Sequence, residues 1–128
     1  MKHIRKLLAW TAGAIFALNA AAPAAFAQTW PTKPVRIVVS FPPGTPGDVI
    51  ARLIQPTLQS AWGQAVVVDN KPGAGGNLAA GEVAQAKDGH TLLVGPDTVL
   101  TINPHLYKKL GFDPRTALQP VSYFASFN

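Results

Sequence analysis

Asn70-Lys71-Pro72-Gly73-Ala74-Gly75-Gly76-Asn77 is the stretch that decides how this chain folds. It follows Ala65 to Asp69 (Ala-Val-Val-Val-Asp), a β-branched run suited to a buried strand, and it precedes a segment rich in helix formers. The order is strand, glycine loop, helix. Three glycines in four positions allow φ > 0 and let a ligand approach the main chain without meeting a Cβ. Asn77 is placed to cap a helix beginning at Leu78, whose first N–H groups have no partner inside the helix. Such a corner attracts anions. A lone glycine loop is more often a plain turn, so the case rests on its neighbours.

Upstream lies a second loop of the same kind. Pro31 and Pro34 hold the chain extended before Val35 to Ser40 (Val-Arg-Ile-Val-Val-Ser), which reads as the first strand. Phe41 to Gly47 (Phe-Pro-Pro-Gly-Thr-Pro-Gly) has too many prolines and glycines for regular structure. Asp48 then offers an N-cap to a helix in which Val49, Ile50, Leu53, Ile54, Leu58, Ala61 and Trp62 recur at helical spacing, with Gly63 at its C′ position. Pro56 removes a bond to the Arg52 carbonyl and predicts a kink or a division.

Downstream, a shorter helix runs from about Leu78 to Ala86, and Asp88-Gly89 turns the chain. Thr91 to Val94 (Thr-Leu-Leu-Val) reads as a third strand and ends in Gly95-Pro96-Asp97. Thr98 to Ile102 has room for a helical turn or two before Asn103-Pro104 stops it. Lys108 to Gln119 reads as surface loop. Pro120 to Phe127 shows the aromatic alternation of a strand just begun.

Strand, helix, strand, helix, strand implies an α/β fold with a parallel sheet and right-handed crossovers. All strand-to-helix loops of such a sheet emerge at its carboxyl edge, where ligands of open α/β sheets bind. Phe41 to Asp48, Asn70 to Asn77 and Gly95 to Thr98 therefore converge on one cleft. They bring N–H groups, the hydroxyls of Ser40, Thr45 and Thr98, and the Asn77 amide, a set suited to a carboxylate or phosphate. Asp48 is the acid expected to face that cleft.

Catalytic chemistry and nucleotide binding find no matching motif. No serine stands in a G-x-S-x-G elbow, and His90 and His105 have no carboxylate spaced to orient them, so each reads as a surface or packing residue. Leu78 stands where a dinucleotide fingerprint starting at Gly73 needs Gly or Ala, and no Lys-Ser or Lys-Thr follows a glycine run. No metal or cofactor site is indicated.

The first residues read as an address. Met1 to Ala27 has a basic start (Lys2, His3, Arg5, Lys6), an apolar run from Leu7 to Leu18, and Ala25-Phe26-Ala27 at its end, which predicts a secretory signal peptide cut after Ala27 and export to the periplasm. An uncleaved anchor is the rival, opposed by Asn19 and Pro23. Without the leader, eight Lys and Arg face six acids, a net charge of +2. The pI of 9.9 is therefore mostly the leader's. The remaining bases are scattered, which argues against nucleic acid or an acidic lipid surface as a partner. The absence of cysteine excludes disulfides and thiolate chemistry.

Several spaced motifs carry a family resemblance. Trp30-Pro31 before Lys33-Pro34-Val35, Phe41-Pro42-Pro43-Gly44 with Asp48, Val66-Val67-Val68 to Gly76-Asn77, Asp88-Gly89-His90-Thr91-Leu92-Leu93, Asn103-Pro104-His105-Leu106-Tyr107 and Phe112-Asp113-Pro114 follow one another in order. The chain closely resembles the Bug family of periplasmic solute-binding receptors, the tripartite tricarboxylate transporter receptors. The resemblance implies one lobe of a two-lobed, hinged periplasmic binding protein (type II, Venus-flytrap) that closes on a small carboxylated metabolite for uptake or sensing. It implies membrane transporter subunits or a sensor as partners, no cofactor and no enzyme activity. Ligand contacts implied on this chain fall at Phe41, Pro43, Gly44, Thr45, Gly47, Asp48, Gly75, Gly76, Asn77 and Thr98, the cleft that the sheet argument reaches by itself.

Departures from the family pattern are few. Thr45 stands where a second glycine is common, and Gly47 where a small hydroxyl residue is. Lys87 replaces a common proline and His90 a common tyrosine. Family members are more than twice as long, so residues 28–128 are expected to form a first lobe that is incomplete at its C-terminus and impaired in binding. The competing expectations are a non-binding remnant, a partner-binding fragment, or a small exported hydrolase using the anion corner as an oxyanion hole.

Overall fold

A computed structural model describes residues 29–126. The predicted leader, its cleavage site after Ala27 and Phe127 lie outside them. Three parallel strands form the sheet: β1 (Val35–Val39), β2 (Val66–Asn70) and β3 (Thr91–Val94), in the order β2-β1-β3. Val35 pairs with Val66 and Val39 with Asn70 on one side of β1, while Arg36 pairs with Thr91 and Val39 with Val94 on the other. That register shifts β2 one residue later than the apolar run suggests. Ala65 contributes only its carbonyl, which accepts from the Val35 N–H at 2.9 Å.

Between the strands run α1 (Pro46–Trp62) and α2 (Asn77–Gln85), the latter preceded by a 3-10 turn at Ala74–Gly76. Alternation along β1 assigns the helices to opposite faces. Val35, Ile37 and Val39 are buried in one cluster with Ala51 of α1, Val66 and Val94, flanked by Phe41, Leu58, Trp62, Val68 and Leu92. On the other face Arg36 bonds Glu82 of α2, and Val38 is fully buried, as are Ala79 and Ala80. Helix, sheet, helix is the three-layer α/β arrangement expected of the pattern.

Four further details of the elements differ from the sequence expectation. Pro56 does not divide α1, which continues through it as one helix of 17 residues, with Pro56 exposed and Gly63 closing the helix in the left-handed conformation (φ 64°). Asn103-Pro104 does not stop a helix but starts one: α3 (Thr98–Thr101) is followed by α4 (Asn103–Leu106), with Pro104 in its first turn, where its missing N–H costs nothing. The expected loop 108–119 contains α5 (Pro114–Ala117), capped by Asp113, whose carboxylate accepts from the Arg115 N–H at 3.0 Å. Residues 120–126 form no strand, and Val121 and Tyr123 are exposed. With no neighbouring strand beside it, their alternation has nothing to bury against.

The segment before β1 is fastened to the turn before β3. Trp30 Nε1 donates to the Gly89 carbonyl at 2.9 Å, and its ring meets Trp62 edge-on at 4.9 Å. The Thr32 N–H donates to His90 Nε2 at 3.1 Å, so the ring proton sits on Nδ1, which donates to the Asp88 carbonyl at 2.8 Å. His90 is buried and packs, as the sequence implies, while His105 is exposed.

Candidate functional site

The order β2-β1-β3 fixes where a cleft can open. α1 leaves β1 toward β2, and α2 carries the chain back past β1 to β3, so the connections diverge at the carboxyl ends of β1 and β3. Ser40 follows β1 there and Gly95 follows β3. A side chain built on Gly95 would begin 3.0 Å from Ser40 Oγ. Loop 70–77 comes to the same point: a Cβ on Gly76 would lie 3.0 Å from Val99, 3.3 Å from Pro96 and 3.5 Å from the Ser40 Cβ. Gly76 has φ 90°, a conformation that glycine adopts without penalty. The three loops thus pack together at the sheet's carboxyl edge.

Loop 41–48 is held by a web centred on Asp48. The sequence suggests Asp48 as the N-cap of α1, but Thr45 occupies that position, its hydroxyl spent on the Pro42 carbonyl at 2.7 Å. Asp48 is the third helical residue and only 2% exposed. Its carboxylate accepts from Arg52 Nε at 3.0 and 3.1 Å, from the Gly44 N–H at 2.8 Å and from Asn70 Nδ2 at 2.8 Å. The Arg52 guanidinium first, then the Gly44 N–H and the Asn70 amide, hold its pKa down to about 2. Asn70 joins the two loops, since its Nδ2 also reaches the Phe41 carbonyl at 3.1 Å and its Oδ1 accepts from Arg52 Nη2 at 2.9 Å. Asp48 therefore braces the loops rather than standing free at the cleft.

The other predicted site residues fall as follows. The Phe41 ring covers Gly47 so closely that a Cβ there would clash with it, which accounts for the glycine. Gly44 and Pro43 are exposed on the outer turn, and Thr45 is half-buried. Thr98 opens α3. Gly75 (φ 62°) lies under Tyr107, whose hydroxyl is 3.0 Å from where a Cβ would begin.

Asn77 is not a cap by its side chain. Gly76 caps α2, and Asn77 is its first residue. The Gly76 N–H donates to the Gly73 carbonyl at 3.0 Å and the Asn77 N–H to the Ala74 carbonyl, so these main-chain donors are spent within the turn. The next N–H groups, of Leu78 and Ala79, have no partner within the helix by its geometry. The Asn77 side chain instead turns Oδ1 to Asn103 Nδ2 at 2.7 Å, leaving Nδ2 buried without a partner. Ser40 Oγ is likewise buried and unpartnered. Buried polar groups are almost always hydrogen-bonded in folded proteins, so these two stand out among the described residues.

The sequence names the Ser40 hydroxyl among the groups at the cleft, but Asn70 and Asn103 are missing from its site residues. The one legible signal was for Asn70, at the head of the glycine stretch. A shallow concavity of about 520 Å³ lined by Pro56, Gln59, Ser60, Gly63, Gln64 and Ala65 sits where α1 ends and β2 begins, at the other edge of the sheet. It shares no residue with the loops. Among the described residues no cluster of His, Asp and Glu is placed to hold a metal ion.

A family model described as "Tripartite tricarboxylate transporter family receptor" matches residues 50–128. The chain belongs to this family. A UPF0065 protein of Bordetella bronchiseptica is 48% identical over 101 residues, covering 78% of this chain and 30% of the relative. Among solved structures, the periplasmic binding protein BugD is similar with a TM-score of 0.63 and 39% identity, over 69% of this chain and 29% of BugD. A Rhodopseudomonas palustris protein solved with adipate gives 0.62 and 41%, over 68% of this chain and 29% of its own. The chain spans about a third of the length of the curated relatives it matches. The family is one of solute receptors, and the parallel α/β lobe seen here is part of their fold.

Proposed function

We propose that this chain is the first lobe of a periplasmic solute receptor that takes a carboxylate of a small metabolite between loops 41–48, 70–77 and 95–98. The observation that carries this is a pair of buried, unpartnered groups: Ser40 Oγ, where Gly76 and Gly95 close on Ser40, and Asn77 Nδ2, on the residue that follows Gly76. Both can donate, and the N-terminus of α2 adds its positive dipole end. The family membership and the adipate-bound neighbour support a carboxylate as the ligand group. Phe41, Pro43, Gly44, Thr45, Gly47, Asp48, Gly75, Gly76, Asn77 and Thr98 form the wall of the cleft in this reading, with Asp48 acting through the shape of loop 41–48.

The role is capture for a membrane transporter or a sensor, with binding rather than chemistry as the activity. Export follows from the leader-like Met1 to Ala27, cut after Ala27. Receptors of this build gain affinity by burying the ligand between two lobes, so one lobe holds it half solvated. Isothermal titration of the 128-residue chain with dicarboxylates and aromatic carboxylates is expected to give no saturable heat. A version extended by a family second lobe binds at least one of them. Tight binding by the short chain would overturn the one-lobe assignment, and failure of the extended chain with every carboxylate would overturn the receptor assignment.

A further inference from the structure

Asn103 is 4% exposed and belongs to none of the three loops. Its Nδ2 donates twice, to the Gly75 carbonyl at 3.0 Å and to Asn77 Oδ1 at 2.7 Å. A backbone carbonyl can only accept, so the group facing Gly75 must be the amide nitrogen. That nitrogen's second proton then requires an oxygen from Asn77, and Asn77 Nδ2 is left pointing elsewhere, buried and without a partner. Orientation passes from the Gly75 carbonyl through Asn103 to Asn77. Were either amide reversed, like atoms would face each other at hydrogen-bonding distance in a buried place. Ser40 imposes no such polarity, because its hydroxyl rotates to donate or accept.

We propose that Asn103 is a positioning and specificity-determining residue that fixes Asn77 as a hydrogen-bond donor and so commits the site to ligands presenting an acceptor oxygen. This rests on the carboxylate reading above. In N103D the new carboxylate cannot donate to the Gly75 carbonyl and instead accepts from Asn77 Nδ2. Asn77 then turns its oxygen to the ligand.

The test is NMR on the ¹⁵N-labelled full chain. Without ligand, both side-chain amide protons of Asn103 are expected in the downfield, hydrogen-bonded range and those of Asn77 are not. In N103D one Asn77 amide proton moves downfield. The opposite pattern in the native chain overturns the proposal without any variant having to fold. On adding adipate, the native chain shifts the Asn77 side-chain signals, and N103D weakens that response about tenfold or more, the range for a lost hydrogen bond to a charged group. N77A weakens it similarly, and adding N103D to N77A produces no further loss. Multiplying losses would mean that Asn103 acts on folding alone and would refute the relay. If adipate perturbs nothing in the native chain, the carboxylate position at the loop junction fails for the short chain, the receptor assignment rests on the extended chain, and the ligand-free signals still decide the relay.

Discussion

Replacing Gly76 with alanine tests whether the three loops meet where Ser40, Pro96 and Val99 close on that glycine. Two costs add. An L-residue in the left-handed region loses about 1–2 kcal/mol. A methyl at φ 90° would also begin 3.0 Å from Val99 Cγ2 and 3.3 Å from Pro96 Cδ, closer than ordinary contact, and overpacking of that kind costs about 1–3 kcal/mol. Together G76A should lose about 2–5 kcal/mol, a large share of the 5–15 kcal/mol typical of a domain. At roughly 4–8 °C per kcal/mol for a domain of 60–100 residues, the midpoint should fall by about 10 °C or more. Gly44 supplies the control, because its φ is 80° and nothing lies within 4 Å of its Cβ direction. G44A should show the backbone cost alone, about 1–2 kcal/mol. Urea and thermal unfolding followed by circular dichroism measure both. Equal losses for the two variants would refute the convergence of the loops at Gly76.

Asp48 predicts an acid-sensitive brace. Its pKa falls from 3.8 to about 2 on folding, so its contribution is complete above about pH 4 and disappears as pH falls through 2. D48N should lower the urea midpoint at pH 7 and flatten its decline between pH 4 and 2, and an unchanged pH profile would count against the brace. Asn70→Ala breaks the link from β2 to the Phe41 carbonyl and Asp48 and should cost about 1–3 kcal/mol by urea unfolding. His90→Ala strips the Thr32 N–H of its acceptor, with a similar loss of about 1–3 kcal/mol. The Trp30–Trp62 pair should report it as a change in tryptophan emission, and unaltered emission would mean that the N-terminal segment is held by other contacts.

The strands were legible because β-branched runs bounded by proline and glycine leave little choice, and alternation on β1 sorts the two helix layers. The ends were less so. Where β2 stops depends on its pairing with β1, which no local pattern records. The caps were misread for one physical reason. Asp48 and Asn77 are the residue types that cap helices, but each had a better partner distant in sequence: Asn70 lies 22 residues from Asp48, and Asn103 lies 26 from Asn77. Asn103-Pro104 reads equally well as a stop or a start, and only packing under the glycine loop selects the start. Aromatic alternation in 120–126 predicts a strand only where another strand stands beside it. The meeting of the loops was legible, since parallel topology places every strand-to-helix loop at one edge, whereas the missing partners of Ser40 Oγ and Asn77 Nδ2 emerge only from three-dimensional contacts.

Chemical-shift mapping of adipate on the ¹⁵N-labelled chain at millimolar concentration tests the central claim most directly. Binding at the loop junction should move the signals of residues 40–48, 70–79 and 95–98, the Asn77 side-chain amide among them, and leave the far edge of the sheet unchanged. Shifts confined to Gln59, Ser60, Gly63 and Gln64 around the opposite concavity, or scattered with no focus, would contradict it.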